Sequence, residues 1–159
     1  MSISHVRRAR PCKARGFSVV ELLLVVTIIL IVAAIAIPNL VSAIDLARVG
    51  RAVADINTLE EEIALYQSIN NVFPDDLSQV GYGNYLDPWG NPYQYVNHAT
   101  MMGNGEVRTD RFGLSVNSDY DVYSNGKDGQ SSSSITASAS QDDIIRAADG
   151  AYVGLAAQF

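Results

Sequence analysis

Two groups of residues in this 159-residue chain have types and spacing that could do chemistry. The first is Glu21, a carboxylate one helical turn into an apolar run that starts at Phe17. An acid at the centre of a membrane helix costs about 2.5–3.5 kcal/mol on insertion scales, and less near an end. Neither a plain anchor nor an export signal needs that burden. A cut between Gly16 and Phe17 gives it a use. The new α-amine then lies one turn before Glu21, and the carboxylate can pair with an amine of its own chain or of a neighbour. Negative charge there also complements the positive start of a helix. The second group is Asp128, Asp142 and Asp143, close to the glycine-rich stretch Asn125-Gly126-Lys127-Asp128-Gly129. Calcium takes six to eight oxygens from carboxylates and carbonyls, and such a loop can turn its carbonyls inward. The EF-hand pattern D-x-[DN]-x-[DN]-G is absent. A cation site and a set of solvated loop acids both remain open on these residues.

No catalytic constellation accompanies them. His5 and His98 each stand alone, the serine-rich stretches have no partnering base, and neither a phosphate-binding glycine loop nor a zinc spacing occurs. The one cysteine, Cys12, follows Arg10-Pro11, so no disulfide within the chain and no lipid attachment is expected. Trp89 reads as a core aromatic anchoring its turn against a helix. Charge is unevenly divided. Arg7, Arg8, Arg10, Lys13 and Arg15 lie in a head that holds no acid, and all seventeen acids follow it. So acidic a body argues against nucleic acid, whose phosphates seek basic surfaces.

The elements that must position these residues begin with that basic head and the apolar run at 17–40, an export-type arrangement. Three readings compete: a secretory signal cut after Ala34-Ile35-Ala36, a permanent anchor, or a leader cut at Gly16 that leaves the run in the mature protein. Residues 17–40 make about 36 Å of helix, against a bilayer core of roughly 30 Å. That is long for a signal sequence. The basic head should stay cytoplasmic, and the pair Arg7-Arg8 is weak as a twin-arginine signal. Beyond Pro38, apolar residues at Val49, Val53, Ile56, Leu59, Ile63 and Tyr66 keep a helical period. One long helix is expected from Phe17 to about Asn70, kinked or loosened at Pro38, with its stripe packed on a C-terminal domain. Residues 72–87 read as a loop or a short helix around Leu77. Strands are expected at Tyr93, Tyr95 and Val96, near Val107 after a turn at 102–106, and along Leu114, Val116, Tyr120 and Val122, with one irregularity at Ser118. The fold class is α+β, a long helix on a small antiparallel sheet.

Arg15-Gly16-Phe17-Ser18-x-x-Glu21 before an apolar run resembles the class III leader of type IV pilins and type II secretion pseudopilins. The stretches D-P-W-G-N-P-Y-Q-Y at 87–95 and D-V-Y-S-N-G-K-D-G at 121–129, with Gln141-Asp142-Asp143-Ile144, resemble the major, G-type pseudopilins. This resemblance implies a pilin-like fold divided into a leader at 1–16, a long helix at 17–71 with its membrane and assembly segment at 17–40, and a periplasmic domain at 72–159. It implies cleavage after Gly16 by prepilin peptidase, N-methylation of Phe17, and a role for Glu21 in assembly. The function implied is structural and not enzymatic: a homopolymer with minor pseudopilins, built by an inner-membrane platform with a cytoplasmic ATPase. The precursor would cross the inner membrane once, with its N-terminus cytoplasmic. The resemblance also implies a structural calcium, held by the side chains of Asp128, Asp142 and Asp143 and the carbonyls of Asn125 and Ser140. Chelation is then expected to lower the melting temperature. The 130–141 connection departs from the family in its length and in the runs Ser131-Ser132-Ser133-Ser134 and Ser138-Ala139-Ser140, a composition usually flexible.

Two rivals are set against this reading. A type IV pilin would build a surface fibre, but such pilins commonly carry a C-terminal disulfide loop, and no cysteine follows Gly16. A membrane-anchored periplasmic enzyme or binding module would need its N-terminus uncut or cut after Ala36.

Overall fold

The computed structural model describes residues 16–159. The leader before Gly16, with Cys12, His5 and the basic cluster, lies outside the described residues. Contacts divide the chain between Val41 and Ser42.

Helix α1 runs Val19–Asn70, with Pro38 inside it. It is long and apolar enough to cross a membrane, and none of its most apolar window is buried. Leu22, Leu23, Leu24, Ile28, Ile29, Leu30 and Ile31 all stand exposed. A stretch with no core of its own must find lipid or another chain to cover it. The helix ends at Asn71, whose φ of 58° is left-handed and whose N–H donates to the Gln67 carbonyl at 2.8 Å, a common helix stop.

In the second unit, Ser42–Phe159, the helix turns one stripe inward. Ala52, Ile56, Leu59 and Ile63 are fully buried, and Val49 and Val53 pack beside them. They meet a five-stranded antiparallel sheet: β1 (Gln94–Asn97), β2 (Met102–Gly103), β3 (Tyr120–Ser124), β4 (Ile144–Ala147) and β5 (Tyr152–Leu155), in the order β2-β1-β3-β4-β5. Of the loop and the short helix left open around Leu77, the chain forms a 3₁₀ turn at Leu77–Val80, capped by Asp76, which accepts the Ser78 N–H at 2.6 Å.

The sheet is covered on both faces. Tyr95, Tyr120, Val122 and Ile144 join the α1 stripe, while Tyr123, Ile145, Ala147, Ile135 and Ala156 form a second cluster. Every residue of β3 and β4 is therefore buried, and the usual in–out alternation of polarity is lost. Polar clamps add to the apolar contact. Asp55 on α1 accepts the hydroxyls of Tyr85 (2.8 Å) and Tyr93 (3.0 Å). Arg146 on β4 donates to Glu60 of α1 at 2.6 Å and to both oxygens of Asp119, and it lies 4.1 Å over the Tyr120 ring.

Three strand expectations are corrected. Met102–Gly103 is itself a strand, β2, and not a turn. Val107 lies outside the strands. The run from Leu114 to Val122 is not one strand: Leu114 is 66% exposed, and the ladder begins only at Tyr120. The reason lies at Ser118, whose N–H donates to Asp149 at 2.6 Å and so is taken from any ladder.

Candidate functional site

Gly16 and Phe17 precede the helix in open space. A side chain at Gly16 would meet nothing within 4 Å, and Phe17 is 82% exposed. Helix α1 then starts on two local side-chain bonds. The Ser18 N–H donates to Glu21 Oε2 at 3.0 Å, and the Val20 N–H donates to Ser18 Oγ at 3.3 Å. Glu21 forms its half of a capping box, while the Ser18 hydroxyl takes the amide of Val20 rather than that of Glu21. The signal S-x-x-E is in the sequence at Ser18 and Glu21, and reading Glu21 only against a future amine passes over it. In the uncut chain the Phe17 nitrogen is an amide and carries no charge.

The second candidate is built by two turns. In the first, Asp87 Oδ1 accepts the N–H groups of Trp89 (3.0 Å) and Asn91 (2.8 Å), and Oδ2 accepts the Ser124 hydroxyl. The Asn91 side-chain amide then donates to the Gly126 carbonyl at 3.0 Å. The motif at 87–95 thus serves the motif at 121–129 directly. Trp89 is half-buried against the α1 core, in keeping with an anchoring role. In the second turn Gly126 has a φ of 64°, and a Cβ there would fall 2.3 Å from the Asp142 carbonyl oxygen, so only glycine fits.

The three expected calcium ligands are placed near one another in the chain path but given separate tasks. Asp142 Oδ2 accepts the backbone N–H groups of Lys127 (2.8 Å) and Asp128 (3.0 Å). Asp128 is exposed, and its Oδ1 accepts the Gln130 N–H at 2.8 Å. Asp143 is fully buried. Its Oδ2 takes Arg108 Nη2 at 2.5 Å and the Ser131 hydroxyl at 2.6 Å. Burial pushes the Asp143 carboxyl up from its ordinary value, and the bonds from Ser131 and Arg108 pull it back. The Ser140 carbonyl, expected to face the ion, accepts the Asp143 N–H at 3.3 Å. Among the described residues, four buried side-chain atoms have no hydrogen-bond partner: the acceptors Asn125 Oδ1 and Asp143 Oδ1 and the donors Arg108 Nε and Trp89 Nε1.

This donor set does not fit a calcium cage. Among the described residues no group of three or more His, Cys, Asp or Glu side chains gathers to hold a metal. Of the three acids only Asp143 is buried, and it already holds a guanidinium that is itself 1% exposed. A divalent ion brought against Asp143 meets that positive charge in a region of low dielectric.

Arg108 is the residue that sequence reasoning missed. Its Nη1 donates to Ser131 Oγ at 2.5 Å and to the Ser132 carbonyl. Its guanidinium lies 4.4 Å over the Tyr123 ring, and its backbone N–H donates to the buried Asp121 at 2.7 Å. Asp121 also accepts from Asn117 at 2.6 Å and is bonded to His98 Nε2 at 2.8 Å, so His98 sits in a structural bond of the sheet. The serine run is not loose. Thr109 donates to the Ser133 carbonyl at 2.8 Å, Ile135 donates back to Thr109 at 2.9 Å, and Ser140 Oγ bonds both the N–H and the carbonyl of Ser132.

The chain is similar to known proteins along most of its length. Residues 12–37 match the prokaryotic N-terminal methylation motif. The type II secretion system core protein G of Pseudomonas aeruginosa is 29% identical over 136 residues, covering 72% of this chain and 84% of that protein. Its counterpart in Vibrio cholerae is 32% identical over 105 residues, covering 54% and 72%. The one in Escherichia coli is 31% identical over 106 residues, covering 54% and 73%. No solved structure matches the chain.

Proposed function

The chain belongs to the family of the type II secretion system core protein G and is a pseudopilin subunit, and on that premise we propose how it is matured and assembled. The precursor sits in the inner membrane by the 17–40 segment, with its basic head in the cytoplasm and its sheet domain in the periplasm. Prepilin peptidase cuts after Gly16, and Phe17 is N-methylated. Subunits then leave the bilayer and stack by their apolar helices into a homopolymer, together with minor pseudopilins. An inner-membrane platform and its cytoplasmic ATPase supply the energy. The role is structural rather than catalytic.

The observation that carries this reading is the helix start. Exposed Phe17 leads directly into a capped helix whose apolar window has nothing over it. Glu21 spends Oε2 on Ser18 and keeps Oε1 for the amine that cleavage creates. Pro38 lies inside this helix and lacks the N–H that the preceding turn would use, so the helix should be locally weaker there.

Mass spectrometry of the mature N-terminus tests the maturation. N-methylated Phe17 is expected, and an intact Met1 or a start at Ile37 refutes the reading. Glu21→Ala should be processed yet fail to assemble, scored by filament formation from purified membranes. Normal filaments from that variant would remove the assembly role of Glu21.

A further inference from the structure

We infer that Arg108 is the resident cation of the C-terminal loop in this chain, so that the loop folds and holds without a divalent metal. Two of the three guanidinium nitrogens and one face are engaged as a bound cation would be, while Nε has no partner. The guanidinium meets a carboxylate (Asp143), a hydroxyl (Ser131), a backbone carbonyl (Ser132) and the face of an aromatic ring (Tyr123). Both charges are withdrawn from solvent, Arg108 to 1% and Asp143 to none. The pair is closed by Ser131, which accepts from Arg108 and donates to the same Asp143 oxygen at 2.6 Å. Two of the four contacts come from the serine run at 131–134. The length and composition that set this loop apart are what supply oxygens to the guanidinium.

The position of Arg108 is itself fixed. Its N–H is held by Asp121, its carbonyl accepts the Val116 N–H at 3.0 Å, and Thr109 beside it bridges to Ser134. The cation therefore arrives from the segment after β2 and ties down the connection between β3 and β4. The remaining loop acids are not left waiting for an ion, since Asp142 and Asp128 cap backbone N–H groups.

Thermal unfolding of the full chain in detergent, followed by near-ultraviolet circular dichroism, tests this directly. Wild-type protein should melt at the same temperature in chelator and in millimolar calcium. A melting temperature that calcium raises and chelator lowers would overturn the inference, and that result needs no variant. Arg108→Met leaves Asp143 buried and unpaired, and should lower the melting temperature by about 10 °C or more in both buffers. Adding Asp143→Leu to it should recover part of that loss, because the uncompensated charge is gone. An Arg108→Met protein that melts like wild type, or a double variant that melts lower than the single one, also counts against the inference. None of these outcomes touches the filament role, which the mass of the N-terminus decides.

Discussion

Ala148 and Asp149 are adjacent non-glycine residues with left-handed backbone, φ 51° and 55°. Such a pair is strained unless its surroundings over-determine it. Here the Ala148 N–H donates to the Val116 carbonyl at 2.9 Å, and the Asp149 N–H donates to Asn117 Oδ1 at 2.9 Å. The Asp149 carboxylate takes the N–H (2.6 Å) and the hydroxyl (2.9 Å) of Ser118. Those two bonds hold the Asp149 carboxyl below its ordinary value. The folded value is depressed, so this contribution to stability is present above the unfolded value of about 3.9 and is lost as pH falls through the folded one. Ser118→Ala removes the hydroxyl bond, and the Asp149 midpoint in an NMR pH titration should move up toward the ordinary value. An unchanged midpoint would mean the backbone N–H alone sets it. At this scale legibility depends on sequence distance. Glu21 stood out as a charge in an apolar run, and its partner Ser18 is three residues away. Arg108 gave no such signal, because its partners lie 23, 24 and 35 residues off.

The long helix is the element the sequence determined most fully. Its period survives because only one stripe of the second unit's helix is covered, and the contrast between buried and exposed positions is sharp. Ile56 is fully buried and Leu65 is 55% exposed, though both are large and apolar. Ile56→Ala should cost about 2–5 kcal/mol by the lost burial and the cavity left behind. Leu65→Ala should stay within about 0.5 kcal/mol. Denaturant titration of the full chain in detergent, read at Trp89, separates the two, and equal losses would contradict the assigned stripe. The strands were harder to read for a physical reason. Ile144-Ile145-Arg146-Ala147 is buried on both faces, so no polar position marks its alternation, and its one charge is hidden by Glu60 and Asp119. Leu114 and Val116 showed the right period but lie outside the ladder: Leu114 closes a turn held by Asp110, which accepts the N–H groups of Phe112 and Leu114 at 2.7 and 2.9 Å, and Val116 bonds the Arg108 carbonyl and the Ala148 N–H.

At the scale of the whole domain, helix and sheet meet through tyrosines, and this gives the fold a weakness toward alkali. Tyr93, Tyr95 and Tyr120 are all nearly inaccessible. Burial pushes each hydroxyl well above its ordinary value, with Asp55 adding to the effect at Tyr93, neighbouring Tyr120 adding at Tyr95, and Arg146 opposing it at Tyr120. Each hydroxyl is therefore harder to ionise in the folded state than in the unfolded one. For a group raised in this way, the contribution is complete below the unfolded value of about 10 and declines as pH rises past it. Three such groups in one core decline together, so the loss should be steep. Tyrosine absorbance followed upward from neutral pH should then show these three ionising only as near-ultraviolet dichroism collapses. Tyr93→Phe removes one of the three at the expense of its bond to Asp55. That variant should be less stable at pH 7 and yet lose stability with a shallower slope above pH about 10. A slope equal to wild type would show that the alkaline loss arises elsewhere, for instance from the repulsion among the acids that dominate this chain.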